Sequence, residues 1–191
     1  MEAKKVDSAA LQRASSLIQK GEVVAIPTET RYGLAADALN PEAVERVCAI
    51  KGRFPTQNIP VLVADRAMLE QVASHISGEA AVLMDKYWPG PLTLVLPAVK
   101  GLPKALVNSK GGVGVRVSSD PVATELVRLV GRPITATSAN LSSEPAAKTA
   151  SEAKLPGVAL VLDDGERAKD VSTVVDCMGD LRVLRQGAIK L

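Results

Sequence analysis

The apolar run Val23-Val24-Ala25-Ile26 passes without a linker into Pro27-Thr28-Glu29-Thr30-Arg31-Tyr32-Gly33-Leu34. A buried strand that ends in a proline, three hydrogen-bonding side chains and a glycine leaves little choice of fold. It is an internal strand whose carboxyl end builds a site, as happens in open sheets covered by helices. Only four aromatic residues, Phe54, Tyr32, Tyr87 and Trp88, stand among the 191. Val, Leu, Ile and Ala therefore fill the core, which suits that architecture.

Helices and strands alternate along the chain. Asp7 or Ser8 caps a helix with Leu11, Ala14, Leu17 and Ile18 inward and Gly21 as its stop. Asn40-Pro41 and Asp120-Pro121 repeat one start signal, a capping side chain followed by a proline in the first turn. The first opens a helix that ends near Lys51-Gly52; the second opens one with Ala123, Leu126, Val127 and Val130 on one face and Gly131 as its stop. Asp65 caps a segment with Met68, Leu69 and Val72 inward, and a further helix runs from Ser77 to Tyr87, before Trp88-Pro89-Gly90-Pro91. Strands are expected at Pro60 to Ala64, Leu92 to Leu96, Val113 to Val117, Ile134 to Thr137, Val158 to Leu162, Thr173 to Cys177 and Leu181 to Leu184. Strands clustered at both ends of a helix-bearing middle favour α+β: a single three-layer α/β domain over 1–191, with a twisted sheet of parallel and antiparallel strands flanked by helices.

With 23 basic and 21 acidic residues the chain carries a formal charge of +2, so a nucleic-acid footprint would have to come from clustering. No segment approaches the ~20 apolar residues of a membrane span, and Glu2, Lys4 and Lys5 at the start precede no apolar stretch. The expectation is a cytoplasmic protein that does not use a membrane. Cys48 and Cys177 match no zinc spacing and are expected to be reduced core residues.

Four clusters fall where strands or helices end. They are Thr28-Glu29-Thr30; Lys51-Gly52-Arg53; Thr135-Ala136-Thr137-Ser138-Ala139-Asn140; and Arg116, alone in an apolar strand. Each has a structural reading beside a functional one. The threonines can close a turn on their own backbone, and Lys51 and Arg53 can complement a helix dipole. Ser138 and Asn140 can build a turn or hold phosphate oxygens. Arg116 needs a partner, either a protein carboxylate or a ligand carboxylate or phosphate. His75, the only histidine, is expected on a helix face and is read as structural or exposed, which argues against Ser-His-Asp or Cys-His chemistry. No phosphate-binding loop of the Gly-x-x-x-x-Gly-Lys-Ser/Thr kind is present, and Gly111-Gly112-Val113-Gly114 precedes a strand and fails the dinucleotide fingerprint.

The ordered set Pro27-Thr28-Glu29-Thr30, Tyr32-Gly33-Leu34, Lys51-Gly52-Arg53, Trp88-Pro89-Gly90-Pro91, Val115-Arg116-Val117, Thr137-Ser138-Ala139-Asn140-Leu141, Ser172-Thr173 and Leu184-Arg185-Gln186-Gly187 closely resembles the YrdC/TsaC family. The resemblance spans about Gly21 to Gly187. It implies a YrdC-like fold and an enzyme that condenses L-threonine, bicarbonate or carbon dioxide, and ATP into threonylcarbamoyl-adenylate, releasing pyrophosphate. That product serves the modification of an adenosine beside the anticodon of tRNA. The implied partners are ATP, L-threonine, bicarbonate, tRNA and the separate proteins that complete the transfer. Magnesium is implied as the cofactor, carried on ATP phosphates rather than by protein ligands.

By the same resemblance Lys51 and Arg53 are the catalytic pair on the nucleotide phosphates. Ser138, Asn140 and Arg185 complete the ATP site, Arg116 clamps the threonine carboxylate with Thr28 and Ser172 beside it, and Thr30 and Thr137 are neighbours. The chain departs from the family pattern at Arg31, Phe54, Asn58-Ile59 and Leu62-Val63. It is expected to be the short, single-domain form. The alternatives are a noncatalytic RNA-binding module of the same fold and a related carbamoyl-adenylate-forming paralogue. Residues Ser143 to Lys154, polar and proline-bearing, are a candidate for a loop that closes over the site.

Overall fold

A computed structural model describes residues 6–52, 58–142 and 144–191. Along the chain run α1 (Ser8–Gln19), β1 (Val24–Pro27), β2 (Tyr32–Ala35), α2 (Pro41–Ile50), β3 (Val61–Leu62), α3 (Arg66–Leu69), α4 (Gly78–Tyr87), β4 (Leu92–Pro97), a 3-10 turn (Lys104–Leu106) and β5 (Gly112–Arg116). Then follow α5 (Pro121–Val130), β6 (Ile134–Thr135), β7 (Thr137–Ser138), β8 (Leu160–Val161), β9 (Thr173–Asp176) and β10 (Arg182–Arg185).

The helix starts follow from their capping residues. Asn40 Oδ1 accepts from the amides of Glu42 and Ala43, and Asp120 Oδ1 from those of Val122 and Ala123, each with proline next in the chain. Asp7, Asp65 and Ser77 cap α1, α3 and α4 in the same way. Each cap satisfies amide donors that the first helical turn leaves unpaired. Gly131 ends α5 with φ of 72°, a left-handed conformation that glycine adopts without strain.

Mixed strand directions are present as expected, and they divide into two hydrogen-bonded sheets. One has the order β7-β2-β1-β8 and the other β10-β9-β4-β5-β3-β6. The stretch Ile134 to Thr137, read as one strand, is where the chain changes sheets: Ile134–Thr135 pairs with β3, and Thr137–Ser138 pairs with β2. The Thr135 amide donates to Ala36 O (2.9 Å) and its hydroxyl to Leu34 O (2.8 Å), joining the two sheets. Val24 and Ile26 of β1 pack with Ala14, Ile18, Leu126 and Val127 under α1 and α5. Val23 and Ala25 point the other way, into a core shared with Val44, Val47, Leu94, Val115 and Met84. β1 is thus buried on both faces, as its uninterrupted apolar sequence requires.

His75 is exposed, in line with the expectation, but it does not lie on a helix face. Asp65 supports only one helical turn, because Ser74 N then donates to Pro97 O (2.8 Å) and Ala73 bridges Ala98, which draws the chain out of helix. His75 is exposed in the connection before α4. Cys48 and Cys177 are buried and not joined in a disulfide, and burial, with Asp176 and Glu79 adding to it, pushes the Cys177 thiol up to about 11. Segment 144–154 of the candidate closing loop is tied down at Ala147, whose amide donates to Ala139 O (3.1 Å) and whose carbonyl accepts from Tyr32 N (3.0 Å). Among the described residues no helix is long and apolar enough to cross a membrane.

Candidate functional site

The site begins where β1 turns into β2. Thr28 to Arg31 form the turn of this antiparallel hairpin, closed by Thr28 N to Arg31 O (3.1 Å) and Thr28 Oγ1 to Arg31 O (2.7 Å). The Thr28 and Thr30 hydroxyls lie 3.0 Å apart. The turn satisfies its own backbone and also presents both threonines to a cleft of about 250 Å³. Gly33 brings the opposite wall close: it pairs with Ser138, and a Cβ on it would stand 3.3 Å from Thr137 O. Thr137 and Ser138 therefore line the cleft facing the hairpin.

The six-stranded sheet supplies the other wall. Arg116 comes from the end of β5, Thr93 from β4, Ser172 from the residue before β9, and Arg185 from the end of β10. The Ser172 hydroxyl is 3.0 Å from that of Thr93. Arg185 donates from Nε and Nη2 to Ser172 O (3.1 and 2.9 Å) and from Nη2 to Ser172 Oγ (2.9 Å). β10 is exposed along its length, so the burial that lowers the Arg185 pKa acts on its guanidinium alone, turned in to Ser172; the charge of Arg116 lowers it further. Burial likewise pulls the Arg116 pKa down, opposed by Glu29 and Asp120. Two guanidiniums whose charged forms are disfavoured by burial, with Arg116 acting further on Arg185, make a place where an anion is stabilising.

Lys51 and Asn140 do not line this cleft. Lys51 is 1% exposed and its Nζ donates to Ser138 O (2.5 Å), Asn140 O (3.1 Å) and Asn140 Oδ1 (2.9 Å). Asn140 Oδ1 also accepts from Ser138 Oγ (2.5 Å), while its Nδ2 donates to Leu141 O (2.9 Å) and Glu144 O (2.7 Å). The two motifs do meet, but Lys51 stands behind the Ser138–Asn140 loop and fixes its shape. Arg53 and Phe54 lie outside the described residues.

Three contributors carry no role in the sequence reading. Glu29 forms a buried ion pair with Arg116 (3.5 Å), and its other oxygen accepts from Ser118 Oγ. Arg31 lines the cleft and its Nη1 donates to Thr30 O (2.8 Å), Arg167 O (3.4 Å) and Lys169 O. Tyr32, fully buried, donates to Gly165 O (2.8 Å) and accepts from Asp164 N (3.2 Å); burial raises its pKa. Arg167 pairs with Asp120 (3.2 Å) and Asp164 (2.7 Å), so segment 163–171 is fastened along the hairpin up to Val171, which lines the cleft. The signal for Glu29 was present: an acid inside a buried turn and an arginine inside a buried strand each need a partner.

The Sua5/YciO/YrdC family model, described as telomere recombination, matches residues 16–187. A threonylcarbamoyl-AMP synthase of Pyrococcus abyssi is 39% identical over 85% of this chain and 49% of its own. One from Vibrio cholerae is 34% identical over 93% of this chain and 97% of its own. The crystal structure of P. abyssi Sua5 complexed with L-threonine superposes with a TM-score of 0.91 at 34% identity, over 97% of this chain and 56% of that one. The chain thus spans about half the length of the P. abyssi relative and most of the V. cholerae one. A strand that breaks into a threonine-rich hairpin, the lysine behind the Ser-x-Asn loop and two arginines at the far wall all fall within the matched stretch, and the chain belongs to the Sua5/YciO/YrdC family.

Proposed function

We propose that this chain is a threonylcarbamoyl-AMP synthase, converting L-threonine, bicarbonate or carbon dioxide, and ATP into threonylcarbamoyl-adenylate and pyrophosphate. The observation that carries the reading is the convergence of Thr28, Arg116, Ser172 and Arg185 on one cleft built from strands of both sheets. Such a cleft offers guanidiniums for carboxylate and phosphate and hydroxyls for polar neighbours, without a histidine. The relative crystallised with L-threonine at 34% identity supports an amino acid in it.

In this reading Arg116 takes the threonine carboxylate, with Thr28 and Ser172 beside it. Ser138 and Arg185 form the nucleotide side, and Asn140 serves it from behind by holding Ser138. Lys51 serves the phosphates through the loop it holds, together with Arg53. The threonine nitrogen attacks the carbon of carbon dioxide, forming an N–C bond and losing a proton. An oxygen of the resulting carbamate then attacks the α-phosphorus, and the bond to pyrophosphate breaks. The chain's task is to orient three reactants and offset negative charge, which positioned cations do well. The donors lining the cleft are hydroxyls and guanidiniums, and Glu29 beside it is taken up by Arg116 and Ser118, so these residues fit magnesium that arrives on ATP. Magnesium so bound supplies further charge neutralisation at the phosphates. Transfer of the product to tRNA falls to partner proteins in the cytoplasm.

The test is pyrophosphate release from ATP with magnesium and bicarbonate, with and without L-threonine. Threonine-dependent release supports the synthase. ATP cleavage that ignores threonine would point to a paralogue with another substrate. Absence of turnover in folded protein, with salt-sensitive RNA binding, would favour the RNA-binding module.

A further inference from the structure

The pair Glu29 and Arg116 is asymmetric in a way that assigns Glu29 a task. Both side chains are more than nine-tenths buried, with 8% and 7% of their surfaces exposed. Glu29 Oε1 stands 3.5 Å from Arg116 Nη1, an ion-pair distance, and makes no hydrogen bond with any described residue. Glu29 Oε2 accepts from Ser118 Oγ. Ser118 is itself fixed: its Oγ accepts from Asp120 N (3.1 Å) and its carbonyl accepts from Thr124 Oγ1 (2.8 Å), both at the start of α5. A carboxylate anchored on one side to a helix N-terminus thus faces the guanidinium on the other.

Arg116 lines the cleft, whereas Glu29 does not, although Thr28 and Thr30 on either side of it do. Its charge is balanced by Glu29, and yet among the described residues none accepts a hydrogen bond from its guanidinium. An arginine has five N–H donors in a fixed fork that matches a carboxylate in two places. Charge balance makes its burial tolerable, and unspent donors leave the fork open to a ligand.

We infer that Glu29 is the positioning residue for Arg116, holding the guanidinium by charge while leaving its donors to a substrate carboxylate. The inference rests on the proposed reading that the cleft takes an amino acid. It differs from a simple counterion role in the sign of its consequence. If Glu29 only balanced charge, removing its charge would make the cleft more positive and strengthen carboxylate binding. If it positions the fork, the same change weakens it.

The experiment is calorimetric titration of the full chain with L-threonine and, separately, with ATP. Glu29→Gln keeps the side-chain volume and an acceptor for Ser118 while removing the charge. The expected result is a loss in threonine affinity of about tenfold, the scale of a misdirected charge-assisted bond, with ATP affinity within about twofold of the parent. Glu29→Asp, which restores the charge at shorter reach, is expected to recover part of the loss. Ser118→Ala frees one side of the carboxylate and is expected to weaken threonine alone by about threefold, a readout that stands if Glu29→Gln does not fold. Threonine binding that is unchanged or tighter in Glu29→Gln overturns the inference, as does an equal loss for both ligands. A parent protein that binds ATP but not threonine overturns the proposed function itself.

Discussion

The two ends of the Ser138 wall handle buried positive charge in opposite ways. Behind it, the Lys51 ammonium meets three acceptors among the described residues, Ser138 O, Asn140 O and Asn140 Oδ1. Across the cleft, the charge of Arg116 disfavours the charged form of Arg185, and Arg116 itself is ion-paired with Glu29. A cation held by carbonyl oxygens of backbone and side chain is scaffolding, because a ligand would have to displace good hydrogen bonds to reach it. A cation balanced in charge but rich in unused donors is recognition. The same two properties, burial and positive charge, thus mean different things according to what the donors are doing.

Lys51→Ala would break the comparison most severely. It leaves buried acceptors without their donor, each at about 1–3 kcal/mol, so a loss near 3 kcal/mol is expected in urea denaturation, together with loss of pyrophosphate release. Retained stability with lost activity would show instead that the ammonium serves the phosphates directly. Gly187→Ala tests the recognition end through its backbone: a Cβ there would stand 2.2 Å from Val171 O and 2.6 Å from Ser172 C. Overpacking of this kind costs about 2 kcal/mol and is expected to lower turnover by displacing Ser172 and its partner Arg185.

Arg185→Ala sharpens the contrast from another side: Arg185 sits on an exposed strand and its guanidinium bonds to Ser172 at the cleft, so its loss should cost binding and spare the fold. An increase of about tenfold in KM for ATP is expected, with a urea midpoint close to that of the parent. The smallest effect concerns Cys177, buried away from the cleft, whose thiol is held up to about 11 against an ordinary value of 9.0. The unfolded chain gives up this proton first as pH rises through 9, so between pH 9 and 11 the folded state binds more protons and stability falls. A loss of about 1 kcal/mol by pH 10 is expected from the thiol, and its share of the slope should vanish in Cys177→Ala.

Much of this was legible in the residues. Asn40-Pro41 and Asp120-Pro121 start helices because capping is a local transaction, settled within three residues. β1 announces itself through an unbroken apolar run. β2 did not, since Tyr32-Gly33-Leu34-Ala35 carries motif residues where a strand signal would sit. Nor did the change of sheet at Ala136, which depends on Thr135 meeting Ala36 and Leu34 some hundred positions away. At the site, Thr28, Thr30, Arg116, Thr137, Ser138, Ser172 and Arg185 do share one cleft. The inward turn of Lys51 could not be foreseen, because a cation at a helix end looks the same in sequence whether it meets water or carbonyls. Glu29 was visible as a residue and invisible as a partner, because 87 positions separate it from Arg116.

The fastening of the hairpin to segment 163–171 has a consequence for how such a protein is made. Tyr32 reaches Gly165, and Arg31 reaches Arg167 and Lys169, across 133 to 138 positions. A ribosome releases the threonine-bearing hairpin early, long before its fastenings exist. Contacts of such separation carry a large entropic cost of loop closure and form late. A nascent chain that has emerged only to α5 therefore carries the first half of a cleft and no means of holding it. Competence to bind arrives all at once, when the last strands reach the first turn.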